Sequence, residues 1–167
     1  NSKYAEFAVR NSSTGNFLSV GISYGTSLKV ITHLLDEKVK NTKYFLIDDY
    51  KNVGNFNYNT DINNVKKDLK DIKNFKFNFI EDLLNQSSLD KVDNNLIFTH
   101  LNTGNYKVEF EFFPQIINKT KTSGVIIIDN YGFWNQAEIN NIDDYISKNA
   151  SLFKIVLPSL QCVIIKS

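Results

Sequence analysis

Apolar residues in this chain come in short runs that end abruptly in small polar residues, and between the runs they recur at helical spacing. Phe17-Leu-Ser-Val-Gly21 breaks into Gly21-Ile-Ser-Tyr-Gly-Thr-Ser27, after which Leu28, Ile31, Leu34 and Leu35 share a helical face, so the segment reads as strand, turn, helix. Tyr44-Phe-Leu-Ile47 is a second strand, closed by Asp48 and Asp49. A polar loop through Gly54 and Asn59 then leads to a charged helix over 61–72. A third strand over 75–80, a short helix over 83–89 and a fourth strand over 95–101 follow. The next helix, 106–117, carries a stripe of Tyr106, Phe110 and Phe113 suited to packing on a sheet, and Pro114 is expected to strain or kink its end. A fifth strand spans 125–128 and a last helix 137–146.

The pattern then changes. Residues 153–157 and 161–165 are strands separated by the turn Pro158-Ser159, too few residues for a crossover helix, so they must pair antiparallel. The predicted class is α/β: a three-layer, Rossmann-like architecture with a mostly parallel seven-stranded sheet finished by an antiparallel hairpin. Open sheets of this kind bind ligands outside the carboxyl ends of their strands. The stretches from Phe98 to Tyr106 and from Gly124 to Trp134 would place Asn102, Asp129 and Asn130 together at that rim.

Composition narrows the class. A chain of 167 residues can bury roughly two thirds of its unfolded surface, enough for one domain over 1–167 without disulfides or metals. With 19 basic and 18 acidic residues and a net charge of +1, the chain has no field that would hold nucleic acid or an anionic membrane. Cys162 lies in an apolar run and reads as a buried small hydrophobe, which fits a reducing, cytoplasmic setting. No apolar run reaches the ~18 residues of a membrane span, and no leader opens the chain. The chain starts at Asn1 and contains no methionine, as expected of a trimmed fragment or of a sequence with positions missing. Asparagine is abundant but dispersed among apolar residues.

Several residues carry candidate chemistry. Gly21 and Gly25 let backbone approach a ligand, and the helix that follows opens with the hydroxyls of Thr26 and Ser27, with Ser23 in the loop, a setting suited to a carboxylate. The alternative is a plain turn needing glycine for its backbone angles. Asp48, ending the second strand, can accept the hydroxyls of a ribose or can cap a helix. Asp82 can serve on the adenine side or be a solvated loop acid. His100 shares a strand face with Asn102 and is either a proton acceptor or a hydrogen-bonded core histidine. His33 has no motif around it.

His100-Leu-Asn-Thr-Gly-Asn-Tyr106, the helix after it, and Gly124-Val-Ile-Ile-Ile-Asp-Asn-Tyr-Gly-Phe-Trp-Asn-Gln-Ala137 with Ile142-Asp-Asp-Tyr145 resemble the second half of the macrocin O-methyltransferase family. More weakly, Val20 to Ser27 resembles the family's glycine-rich first loop and Asp48 the acid after its second strand. The terminal hairpin is the ending of a methyltransferase sheet, whereas a six-stranded dinucleotide-binding sheet does not need it. The resemblance implies a transferase that carries a methyl group from S-adenosylmethionine (SAM) to a sugar hydroxyl of a glycan or glycosylated small molecule. It implies a cofactor loop at Gly21, Ser23, Gly25, Thr26 and Ser27 with Asp48 after the second strand, and an acceptor hydroxyl near Asn102, Asp129 and Asn130. Tyr131 and Trp134 either line an acceptor sugar by apolar stacking or are packing groups.

The departures from the family are chemical. Where metal-using members place three acids around a divalent cation, this chain has Asn102, Asp129 and Asn130, and one carboxylate with two neutral amides makes a weak magnesium site. Asn102 cannot take a proton, Gly104 replaces a second acid, and Ser19 replaces the acid that precedes the first glycine. His100 can substitute as the base. The competing expectation is a degenerate relative that binds a nucleotide, a sugar or a protein without chemistry. A nicotinamide-dependent oxidoreductase is disfavoured by the hairpin and by the lack of a Gly-x-Gly-x-x-Gly run. Family members carry N-terminal helices as a lid, and almost nothing is expected here before the first strand.

Overall fold

The computed structural model describes residues 1–12, 14–23, 25–49 and 61–167. The expected loop through Gly54 and Asn59, and Tyr24 in the glycine loop, lie outside them. Each apolar run becomes a strand: β1 Asn16–Val20, β2 Thr42–Asp48, β3 Phe75–Glu81, β4 Leu96–Leu101, β5 Thr120–Ile128, β6 Leu152–Val156 and β7 Cys162–Lys166. They form one sheet in the order β3-β2-β1-β4-β5-β7-β6. Pairing is parallel from β3 to β5, while β7 enters antiparallel between β5 and β6. The short turn between the last two strands forces that reversal, as the spacing requires.

The helices are α1 Ser2–Asn11, α2 Thr26–Leu35, α3 Ile62–Asp68, α4 Gln86–Asp90, α5 Tyr106–Lys119 and α6 Gln136–Ser147. Apolar residues of α1, α2 and α3, including Ala5, Ala8, Leu28, Ile31 and Val65, pack with Phe17, Phe98 and Ile127 on one sheet face. Those of α4, α5 and α6, including Leu89, Phe113, Ile116 and Ile142, pack with Leu18, Leu101 and Ile126 on the other. This gives three layers, with the central parallel strands β1 and β4 buried on both faces. The rings of Phe17, Tyr44, Phe75 and Phe98 meet at 5.2 to 5.7 Å between centroids, an edge-and-tilt cluster. Burying each side chain contributes about 1.5–3 kcal/mol.

Three expectations need correction. A helix, α1, precedes β1 and packs against α2, β4 and β5. Its sequence, SKYAEFAVRN, buries Ala5 and Ala8 fully and packs Tyr4 and Val9 against the same core. The helix expected over 106–117 runs two residues further, α5 passing through Pro114 to Lys119, and its buried Phe113, Ile116 and Ile117 hold it on the sheet despite the lost hydrogen bond. Helix boundaries also move: α4 begins at Gln86 because Asn85 caps it, and α3 ends at Asp68. No helix among the described residues is long and apolar enough to cross a membrane.

Candidate active site at the carboxyl rim of the sheet

Backbone hydrogen bonding continues one residue past the strand ends and fixes the rim. The N–H of Gly21 donates to Ile47 O, that of Asn102 to Val20 O and that of Asp129 to Leu101 O, each at 2.9 Å. Gly21 sits at φ +76°, and a Cβ there would lie 2.2 Å from the carbonyl oxygen of Asn102. This glycine is required by the approach of two protein segments. Gly25, at φ +73°, is the residue before α2; a Cβ there meets only Val65 at 3.6 Å, so its backbone angle, not crowding, favours glycine.

Beyond Gly21 the loop and the start of α2 enclose a cavity of about 120 Å³ lined by Ser19, Ile22, Ser23, Thr26, Ser27, His100 and Asn102. A second cavity of about 240 Å³ adjoins it through Thr26 and Ser27 and reaches Asn1 and Gln161. The helix start carries no side-chain cap, so its backbone N–H groups are the donors a carboxylate uses. Asp48 stands at the end of β2, and its Oδ2 accepts the backbone N–H of Ile22 at 2.5 Å, pinning the glycine loop. Asp82 accepts the N–H of Leu83 at 2.8 Å and so closes its own turn. Ser19 bonds the buried Tyr44 hydroxyl at 2.9 Å on the cavity floor.

His100 and Ser19 are register partners on the face beneath α2. His100 is only 4% exposed, and its Nε2 lies 3.1 Å from Asp129 Oδ2 and 3.2 Å from the Asn1 amide nitrogen. Burial alone would raise the Asp129 carboxyl, but hydrogen bonds from His100, Gln161 and Asn1 and the imidazole charge outweigh it and hold the carboxyl below the ordinary aspartate value. Gln161 donates to Asp129 Oδ1 and, at 3.0 Å, to Asn1 Oδ1. Asn130 donates its amide to Asn102 Oδ1 at 3.0 Å.

The structure thus brings His100, Asn102, Asp129 and Asn130 together. The residues present do not fit a divalent cation: both Asp129 oxygens and the Asn102 carbonyl already accept protein donors. Among the described residues no group of three or more His, Cys, Asp or Glu side chains is arranged to hold a metal ion. Tyr131 is not a stacking platform, because its ring is only 4% exposed and its hydroxyl donates to Asp143 at 2.7 Å while accepting from Lys154 at 3.2 Å. Burial and the Asp143 bond push that phenol up to about 12. Trp134 packs on Tyr106 and Tyr131 with its indole nitrogen buried. His33 is an exposed residue on α2 whose Nδ1 lies 2.9 Å from Lys29 O. Cys162 is buried and free, its thiol pushed up to about 12 by burial.

Sequence reasoning missed Gln161 and Glu109. Glu109, 1% exposed in the first turn of α5, accepts from the backbone and hydroxyl of Thr103 at 2.8 and 2.6 Å, with its second oxygen buried and unpartnered. Burial raises its carboxyl against those bonds and the nearby His100. Neither residue belongs to a motif; the only signal for Glu109 is an acid set among the aromatic stripe, at helical spacing from both Tyr106 and Phe113.

A parallel sheet of this order with an antiparallel strand inserted before its edge is the Rossmann-like fold of SAM-dependent methyltransferases. No family model matches the chain, and no curated protein matches its sequence. Solved structures do match. The O-methyltransferase NovP superposes with a TM-score of 0.70 at 14% identity, over 99% of this chain and 77% of NovP. CalS11, a TDP-rhamnose 3'-O-methyltransferase of calicheamicin biosynthesis, gives 0.69 at 9% identity over 98% and 76%. An rRNA methylase from Streptococcus thermophilus gives 0.61 at 13% identity over 98% and 94%. At these identities the likeness establishes the fold.

Proposed function

We propose that this chain is a SAM-dependent O-methyltransferase for a sugar hydroxyl of a glycan or glycosylated small molecule, with residues 1–167 forming its methyltransferase domain. The carrying observation is that the Gly21–Ser27 loop, Asp48 and the His100–Asp129 pair occupy one rim of a sheet with the methyltransferase strand order. The acceptor class is supported by the macrocin-like block at His100–Tyr106 and by the likeness to CalS11. An rRNA methylase shares the fold, but a net charge of +1 does not suit a polynucleotide acceptor. A reducing, cytoplasmic setting agrees with the free thiol of Cys162.

Bound SAM supplies a methyl group already activated by its sulfonium sulfur. The start of α2, with Ser23, Thr26 and Ser27, binds the carboxylate, and Asp48 and Asp82 stand on the ribose and adenine sides. Asn102 and Asn130 hold the acceptor hydroxyl through neutral hydrogen bonds. His100, oriented by Asp129, takes its proton as the oxygen attacks. A thermal-shift panel tests this. At about a hundred times its dissociation constant, SAM or its demethylated product S-adenosylhomocysteine adds roughly 2.7 kcal/mol. In a chain of this size that raises Tm by roughly 5–10 °C, while NAD does nothing. No shift with either compound at millimolar concentration favours the second reading, a degenerate relative without chemistry. The observation on that side is the 120 Å³ cavity, small beside the roughly 300–1,000 Å³ of ligand pockets.

A further inference from the structure

We infer that Gln161, carried on the turn between β6 and β7, is the positioning residue of this rim: its amide fixes Asp129 in the place where a bound cation would otherwise neutralise it, and the site works without metal. The inference rests on the reading of the rim as the acceptor side, but its test reads the network itself.

The turn is built to deliver Gln161. Leu157 N–H donates to Gln161 O and Leu160 N–H to Leu157 O, both at 2.9 Å, and the turn is latched to the segment after β5 by Gly132 N–H donating to Leu160 O at 2.8 Å. The latch is tight. Leu160 adopts φ +64°, and a Cβ on Gly132 would lie 2.5 Å from Leu160 Cβ. The antiparallel register then pairs Cys162 with Ile128, so Gln161 falls beside Asp129. A half-buried carboxylate needs donors on both oxygens, because an unpaired charge removed from water is costly. His100 satisfies Oδ2 and Gln161 satisfies Oδ1. The neighbouring Asn102–Asn130 amide pair adds no charge. A hard cation would have to displace the Gln161 amide and would gain one anionic ligand. An acceptor hydroxyl therefore meets hydrogen-bonding groups and not a chelating ion, so a single hydroxyl suffices and a vicinal pair is not required.

The experiment places Gln161→Glu and Gln161→Leu beside the parent and follows thermal melting in chelator and in low-millimolar magnesium chloride. The parent is expected to melt identically in both. Gln161→Glu sets two carboxylates against each other; it melts several degrees lower in chelator and recovers in magnesium, a cation dependence that a merely structural turn residue would not create. Gln161→Leu melts lower in both conditions and is not recovered. If Gln161→Glu does not fold in chelator, folding regained with magnesium is the same positive result. Magnesium stabilisation of the parent overturns the inference, as does Gln161→Glu or Gln161→Leu behaving like the parent, or Gln161→Glu remaining unfolded with magnesium. None of these readouts uses SAM, so a failure to bind SAM leaves the network result standing, and the reverse also holds.

Discussion

At the residue scale, single side chains and single missing side chains set the rim. Gly21 is the sharpest case: its Cβ would overlap the Asn102 carbonyl at 2.2 Å in a backbone conformation that L residues avoid. Gly21→Ala is therefore expected to cost about 3 kcal/mol or more, read by denaturant unfolding. Asp48 has a structural task as well as a proposed ligand task, since it clamps Ile22. Asp48→Asn keeps an acceptor for that N–H but loses the charge, so Tm without ligand should stay near the parent's while the SAM shift shrinks; Asp48→Ala should lower both. Glu109 titrates with the opposite sign from a paired acid. Its folded carboxyl lies above its unfolded value, so it takes stability away as pH rises from the unfolded value through the folded one. Glu109→Gln keeps an oxygen for Thr103 and removes that loss. Melting curves across pH should show the variant gaining on the parent as pH rises through that window.

At the element scale, asparagine opens helices: Asn85, Asn105 and Asn135 each cap a helix through the side chain, and Asn85 and Asn135 form full capping boxes. Asn135→Ala should cost about 1 kcal/mol of stability. Elements were legible where periodicity was strong. The seven strands and the reversal at the hairpin follow from apolar runs and a turn too short to cross over. α1 was missed although Tyr4, Ala5, Ala8 and Val9 recur at helical spacing; its fully buried positions are small alanines, a weaker mark than the Leu and Ile of α2. The passage of α5 through Pro114 was legible, since the aromatic stripe continues the helical spacing past it, and packing of Phe113 and Ile117 overrides the local penalty. The site divides similarly. His100, Asn102, Asp129 and Asn130 were legible because strand ends bring consecutive motifs together. Gln161 was not, because its placement depends on a tertiary latch between Gly132 and Leu160.

At the scale of the whole molecule, the strand order sends the glycine loop, Asp48 and the His100–Asp129 pair to one edge of the sheet, with the proposed cofactor side at β1 and β2 and the proposed acceptor side at β4, β5 and the hairpin turn. The near-neutral charge leaves recognition to this local chemistry. In the proposed function the β1–α2 end of the rim receives SAM, and the glycine amides report it directly. In two-dimensional amide NMR, titration with S-adenosylhomocysteine should move Gly21 and Gly25 strongly. Gly15, before β1, and Gly124, inside β5, should stay in place, with the same result in chelator. Unmoved Gly21 and Gly25 amides at saturating ligand, or equal movement of Gly15, would contradict the account.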